Sequence, residues 1–162
     1  MRALTLGAIV AAALATAASA QTDFEGMHGA RMHRLNSLGV PGRPFAGMAQ
    51  ASQDWIAAET VRQTQAPKPL TELALTVDKS LRKDILQVAR AHELDTHDIV
   101  LAIILQITRD AETATADALK AARGSGDAAA IQAAAEKAAV ATELRKQALQ
   151  VQTDASLELT RN

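Results

Sequence analysis

The chain has 162 residues, 17 of them basic and 18 acidic, with no cysteine, no tyrosine, one tryptophan and two phenylalanines. A charge this close to neutral offers no global field for nucleic acid or anionic lipid. The missing thiols exclude disulfides, covalently attached c-type haem and thiolate metal sites. With so few rings, the core must be built from Leu, Ile, Val and closely packed Ala.

The first twenty residues, "MRALTLGAIVAAALATAASA", have the layout of a secretory signal peptide. Arg2 precedes an apolar run from Ala3 to Leu14, and small residues ending in Ala18-Ser19-Ala20 set cleavage before Gln21. The run is short and mostly alanine, weaker than the roughly 20 strongly apolar residues of a membrane anchor. Export without cysteine suits a bacterial periplasm or secretion beyond it, and a single domain follows the signal.

Residues 21–50 show no period and hold five of the eight glycines and two of the four prolines, so they read as a flexible leader. Within it "MHGARMH" brings together Met27, His28, Met32 and His33. Thioether and imidazole suit Cu(I), and they serve as soft ligands where thiols are missing. His28 and His33 are five apart, about 140° round a helix, so chelation needs the flexible backbone that Gly26 and Gly29 can supply. Arg31 and Arg34 beside them oppose a cation, and the alternative is a polar leader with no site.

The helical domain covers 51–162, with helices expected at about 52–64, 79–92, 97–123 and 127–160. Ser52 is placed to cap the first, which carries Trp55, Ala58 and Val61, and "APKPL" breaks it. "LTELALTVD" then alternates, with Leu73, Leu75 and Val77 on one side and Glu72, Ala74 and Thr76 on the other, the pattern of a half-buried strand. Asp78 can cap a helix carrying Leu81, Ile85, Val88 and Ala89.

"HELDTHD" follows. His92 and His97, with Glu93, Asp95 and Asp98, are candidate ligands for Zn(II), Cu(II) or Ni(II). The same residues also read as helix-end chemistry: His92 at a C-terminus, Asp95 or Thr96 as a cap and Asp98 in a first turn. "DIVLAIILQI" is apolar almost all round yet too short to span a bilayer, so it predicts a helix buried on several sides. Should other helices leave it uncovered, the stretch from Ile99 to Ile107 is a self-association surface.

A seam continues through Val100, Ile104, Ile107, Ala111, Ala114, Ala118 and Ala121. "GSGD" ends it, with Gly124 suited to a left-handed cap and Asp127 to the next N-cap. The last helix bears its own seam from Ile131 through Ala134, Ala138, Ala141, Leu144, Ala148 and Val151 to Ala155 and Leu159. So short a turn makes the two helices antiparallel neighbours. The fold class is therefore all-α: a helical bundle built on a long antiparallel helical hairpin, with a flexible N-terminal leader.

The stretch from Leu73 to Ile107 also resembles the ribbon-helix-helix pattern of small DNA-binding dimers: an alternating strand, an amphipathic helix, a short turn and an apolar second helix. That resemblance implies a dimer whose outward strand residues read the major groove, here Glu72, Ala74 and Thr76 or the apolar set opposite. Neither set offers the cationic or amide side chains that base readout uses.

There is no Gly-rich phosphate loop, nucleophile-elbow serine or helical H-x-x-x-H. The sequence therefore leads to an exported, non-catalytic binding, structural or chaperone-like protein without a cofactor. It would engage a protein partner or itself through helix faces, with no nucleic acid and no membrane span once the signal is removed. Two alternatives stand beside it: copper binding through the Met/His leader, and a ribbon-helix-helix-like DNA-binding or dimerisation module if the first twenty residues are not a signal.

Overall fold

A computed structural model describes residues 47–161, with side chains described through 154. The expected signal peptide, most of the expected leader and the side chains of Ala155 and Leu159 lie outside the described residues. Four helices follow one another: α1 (Gln50–Gln65), α2 (Leu70–His92), α3 (Thr96–Ser125) and α4 (Ala128–Arg161). There is no strand among the described residues. The all-α bundle on a helical hairpin stands.

α3 is the element on which the others meet, for α1, α2 and α4 all pack against it. Ile99, Ile103 and Ile107 recur every four residues and are completely buried. Ile104, Thr108, Ala111 and Thr115 form a neighbouring buried row. Two adjacent rows make an apolar arc too broad for one partner helix, which is why three converge here. The two threonines turn their hydroxyls back onto their own helix, Thr108 to the Ile104 carbonyl at 2.9 Å and Thr115 to that of Ala111 at 2.9 Å. Their buried donors are thereby satisfied.

α2 begins well before Asp78, and the expected strand at residues 72–77 is helical. Leu73, Val77, Leu81, Ile85 and Val88 form one buried stripe at intervals of four and three. That helical period outweighs the local alternation and puts Leu75 off the stripe, 72% exposed. Pro69 stands at the N-cap, where its missing N–H costs nothing, and its carbonyl accepts from Leu73 N at 2.9 Å. Asp78 pairs with Arg82 at 3.1 Å inside the helix rather than capping it. The ribbon-helix-helix resemblance thus loses the strand it requires.

α1 starts at Gln50, ahead of Ser52, and its N-cap residue Ala49 offers no side-chain cap. A carboxylate from α2 secures this end instead: Ala49 N donates to Asp84 Oδ2 at 2.8 Å. Gly47, at φ +91°, turns the chain beside Val88, and Met48 is buried next to it. The buried face of α1 is Ile56, Glu59 and Gln63, while Ala58 and Val61 are exposed. That face is turned by one residue, about 100°, from the expected stripe.

Between α2 and α3, Glu93 takes the left-handed conformation at φ 53°, and Leu94 N donates to the Ala89 carbonyl at 3.0 Å. Leu94 itself is buried, the hydrophobic half of this C-terminal cap. Between α3 and α4 the left-handed position is Gly126 at φ 73°, two residues beyond the expected Gly124. The Ser125 hydroxyl donates to the Ala122 carbonyl at 2.7 Å, carrying the last turn past Gly124. Asp127 caps α4 as expected, accepting from Ala129 N at 2.9 Å.

Burial on the hairpin stops at Thr115 and resumes at Ala141. Ala114, Ala118 and Ala121 are exposed, so the expected alanine seam is interrupted after Ala111. On α4, Ala141 and Ala148 are buried, Ile131, Ala134, Ala138 and Leu144 are half-buried, and Val151 is exposed. Alanine is too small to be covered by one facing helix, so the seam is buried only where more chain surrounds it.

Asp84→Ala should lower stability by about 1–3 kcal/mol, because it strands the Ala49 N–H and removes the tie between α1 and α2. The urea midpoint measures this, and a midpoint equal to wild type would contradict it.

Candidate functional site

The interior contains few ionisable groups, and the fold itself occupies them. The Glu59 side chain is 1% exposed. Its Oε2 accepts from Arg62 Nε at 2.7 Å, and its Oε1 from Gln63 Nε2 at 3.0 Å, with Lys68 Nζ at 3.5 Å. Gln63 Oε1 in turn accepts the Lys68 backbone N–H at 2.9 Å. Burial raises the Glu59 pKa, but the hydrogen bonds from Gln63 and Arg62 and the charges of Lys68 and Arg62 outweigh it. The net effect holds this carboxyl below its ordinary range. A carboxylate fixed this way accepts hydrogen bonds and has no proton to give at neutral pH. It fastens the end of α1 to the proline linker. Arg62 also lies over the Trp55 ring, 5.9 Å from its centroid.

A second polar group crosses the hairpin. Arg145 Nη1 on α4 donates to the Leu105 carbonyl on α3 at 2.7 Å. Burial and the neighbouring Arg109 charge lower its pKa, against the opposing influence of Glu112 and Asp110. Arg109 Nε is held by Asp110 Oδ1 at 3.1 Å. Arg109 Nη2 and Gln106 Oε1 are buried there without a hydrogen-bond partner. The cross-hairpin bond fixes the register of α4 on α3.

The α2–α3 turn does not gather its candidate metal ligands. His92 closes α2, whereas His97 lies in the first turn of α3 with a side chain 96% exposed. Asp95 is the N-cap: its Oδ1 accepts from His97 N at 2.8 Å and lies 3.0 Å from His97 Nδ1. Among the described residues, no three side chains of His, Cys, Asp or Glu converge as metal ligands. Met27, His28, Met32 and His33 lie outside the described residues.

The expected self-association surface on α3 is also altered. Ile99, Ile103, Ile104 and Ile107 are buried by the other helices, and Val100, Leu101 and Leu105 between them are half-buried. Among the described residues, no helix is long and apolar enough to cross a membrane.

The open feature lies on α2. A groove of about 610 Å³ runs between α2 and the start of α3, lined by Ala74, Leu75, Asp78 and Arg82 on one side and His97 and Val100 on the other. On the opposite flank of Leu75 is a second cleft of about 560 Å³, bordered by Glu72, Thr76, Lys79 and Ser80. Leu75 therefore stands as an apolar ridge between two depressions. Among the described residues it is the most exposed of the large apolar side chains. The alternating reading of residues 72–77 hid this feature, and extending the Leu81, Ile85, Val88 stripe backwards to Val77 and Leu73 would have exposed it.

Comparison with known proteins gives no match to a family model, a curated protein or a solved structure.

The lowered pKa of Glu59 fixes a pH dependence. Its stabilising contribution is complete above the unfolded carboxyl value near 4.5 and is lost as pH falls through the lower folded value. Glu59→Gln should therefore be less stable than wild type at neutral pH. The gap in urea midpoint should narrow steadily between about pH 5 and about pH 3. A gap that stays constant through this range would contradict the assignment.

Proposed function

We propose that the protein is an exported, non-catalytic helical module that binds another protein through the outer face of α2. The observation that carries this reading is Leu75, 72% exposed on a regular helix and bordered by grooves on both flanks. An apolar side chain raised between depressions is the shape that knob-into-hole association uses. Export is supported by the three-part layout of the first twenty residues. A non-catalytic role is supported by the engagement of the buried carboxylates Glu59 and Asp84 in holding helix ends. The same face serves a structural or chaperone-like role equally well, since each needs only a persistent apolar contact surface.

A photoreactive residue in place of Leu75 should give a discrete protein adduct in the extracytoplasmic fraction, and one in place of Val140 on α4 should not. Sequencing of that exported product should begin at Gln21. Indiscriminate adducts from both positions would overturn the binding face, and an intact Met1 in the cytoplasm would overturn export.

A second reading has its own observation, the Met-His pairs in a chain without cysteine. In it, Met27, His28, Met32 and His33 hold Cu(I) in the exported protein. Calorimetric titration should find one Cu(I) site tighter than about micromolar that disappears when both methionines are replaced by Leu. Heats no greater than dilution would remove this reading.

A further inference from the structure

We infer that the partner at Leu75 is a second copy of this chain, with α2 meeting α2 antiparallel about a two-fold axis at Leu75. The inference rests on the reading of this face as a binding surface, and it names the occupant. The charges flanking Leu75 carry it. Among the described residues, neither Glu72 nor Lys79 has an ion-pair partner. Yet they lie on the same flank of the ridge, three residues before Leu75 and four after it. At 100° and about 1.5 Å per residue, both sit roughly 40–60° round from Leu75, at nearly equal heights above and below it.

A two-fold axis at Leu75 inverts height and keeps the flank, so each residue meets the one equally far beyond Leu75 in the other copy. Glu72 then faces the partner's Lys79, and the symmetric contact repeats it. On the other flank the same operation sets the Thr71 hydroxyl against the partner's Asp78 carboxylate, a donor against an acceptor. The bordering cleft of about 560 Å³ is the place for the incoming Leu75. One unfavourable approach remains, Lys68 towards the partner's Arg82. Each of these cations already has a carboxylate of its own chain, Glu59 at 3.5 Å and Asp78 at 3.1 Å. No other arrangement of α2 on α2 at Leu75 matches the two unpaired charges twice. A parallel pairing about an axis along the helices swaps the flanks, setting Lys79 against the partner's Asp78, which Arg82 already holds, and leaving Glu72 beside Thr71 with no cation.

One helix on one helix is a small interface, under roughly 1,200 Å² in total, so the dimer is reversible and forms at high protein concentration. Helix axes about 10 Å apart, at the wider end of the usual spacing, less two Cα radii of about 2.3 Å, leave facing Cα atoms about 5 Å apart. That is within disulfide range.

The chain has no cysteine, so Leu75→Cys supplies its only thiol. In the full chain, mild oxidation should form a Leu75→Cys disulfide dimer at least about tenfold faster than it does with Val140→Cys, which is exposed on α4. In sedimentation equilibrium of the cysteine-free protein, Glu72→Lys and Lys79→Glu should each weaken dimerisation about tenfold, and the double variant should restore it. All these positions are exposed, so circular dichroism should show unchanged helix content throughout. Equal oxidation rates at the two cysteines, or a dimer indifferent to charge reversal, would overturn the two-fold pairing. A photo-adduct at position 75 with a different protein, together with a monomer in sedimentation, would keep the binding face and overturn the second copy as its occupant.

Discussion

Everything in the bundle follows from the need to cover the first half of α3. Ile99, Ile103 and Ile107 leave no surface to solvent, and Ile104 beside them leaves almost none. Fully burying such a side chain is worth about 1.5–3 kcal/mol. A single facing helix covers only one stripe, so the arc needs three. α2 supplies Leu73, Val77, Leu81 and Ile85, α1 comes in with Ile56, and α4 closes the hairpin with Ala141 and Ala148. Where α3 turns to alanine beyond Thr115, burial ends.

Polar groups hold this arrangement in register. Asp84 reaches from α2 to the start of α1, Glu59 ties the end of α1 to the linker, and Arg145 ties α4 to the Leu105 carbonyl. Each satisfies backbone or charge that the apolar contacts would otherwise leave stranded, at a cost of about 1–3 kcal/mol per group. The bundle thus uses its ionisable interior for geometry, and on the outer side of α2 Leu75 stays exposed. That side is rigid because the opposite side of the same helix is core.

The hairpin was legible in the sequence because its signals are local: "GSGD" between two long seams, and Asp127 at an N-cap. The turn at Asp95 was legible for the same reason. What the sequence concealed depended on contacts between distant residues. Asp84 caps α1 from thirty-five residues away, whereas the local sequence points to Ser52, a good capping type at nearly the right place. Leu73, Leu75 and Val77 alternate by coincidence, and only the continuation to Leu81 and Ile85 shows which two belong to the core. The candidate site went unseen with it, since an exposed Leu75 has meaning only once residues 70–92 are one helix. At the α2–α3 turn, Asp95 accepts from His97 N, the helix-end chemistry that the sequence offers beside a ligand role for His92 and His97.

Native-state hydrogen exchange tests the central claim, that the fold is held at the isoleucine arc of α3. Amides from Ile103 to Ala111 should exchange only by global unfolding, with an opening free energy equal to that from urea denaturation. Those from Ala118 to Ala135, at the bare end of the hairpin, should exchange through smaller openings. Protection greatest at the hairpin tip, or α3 amides that exchange before those of α4, would contradict it.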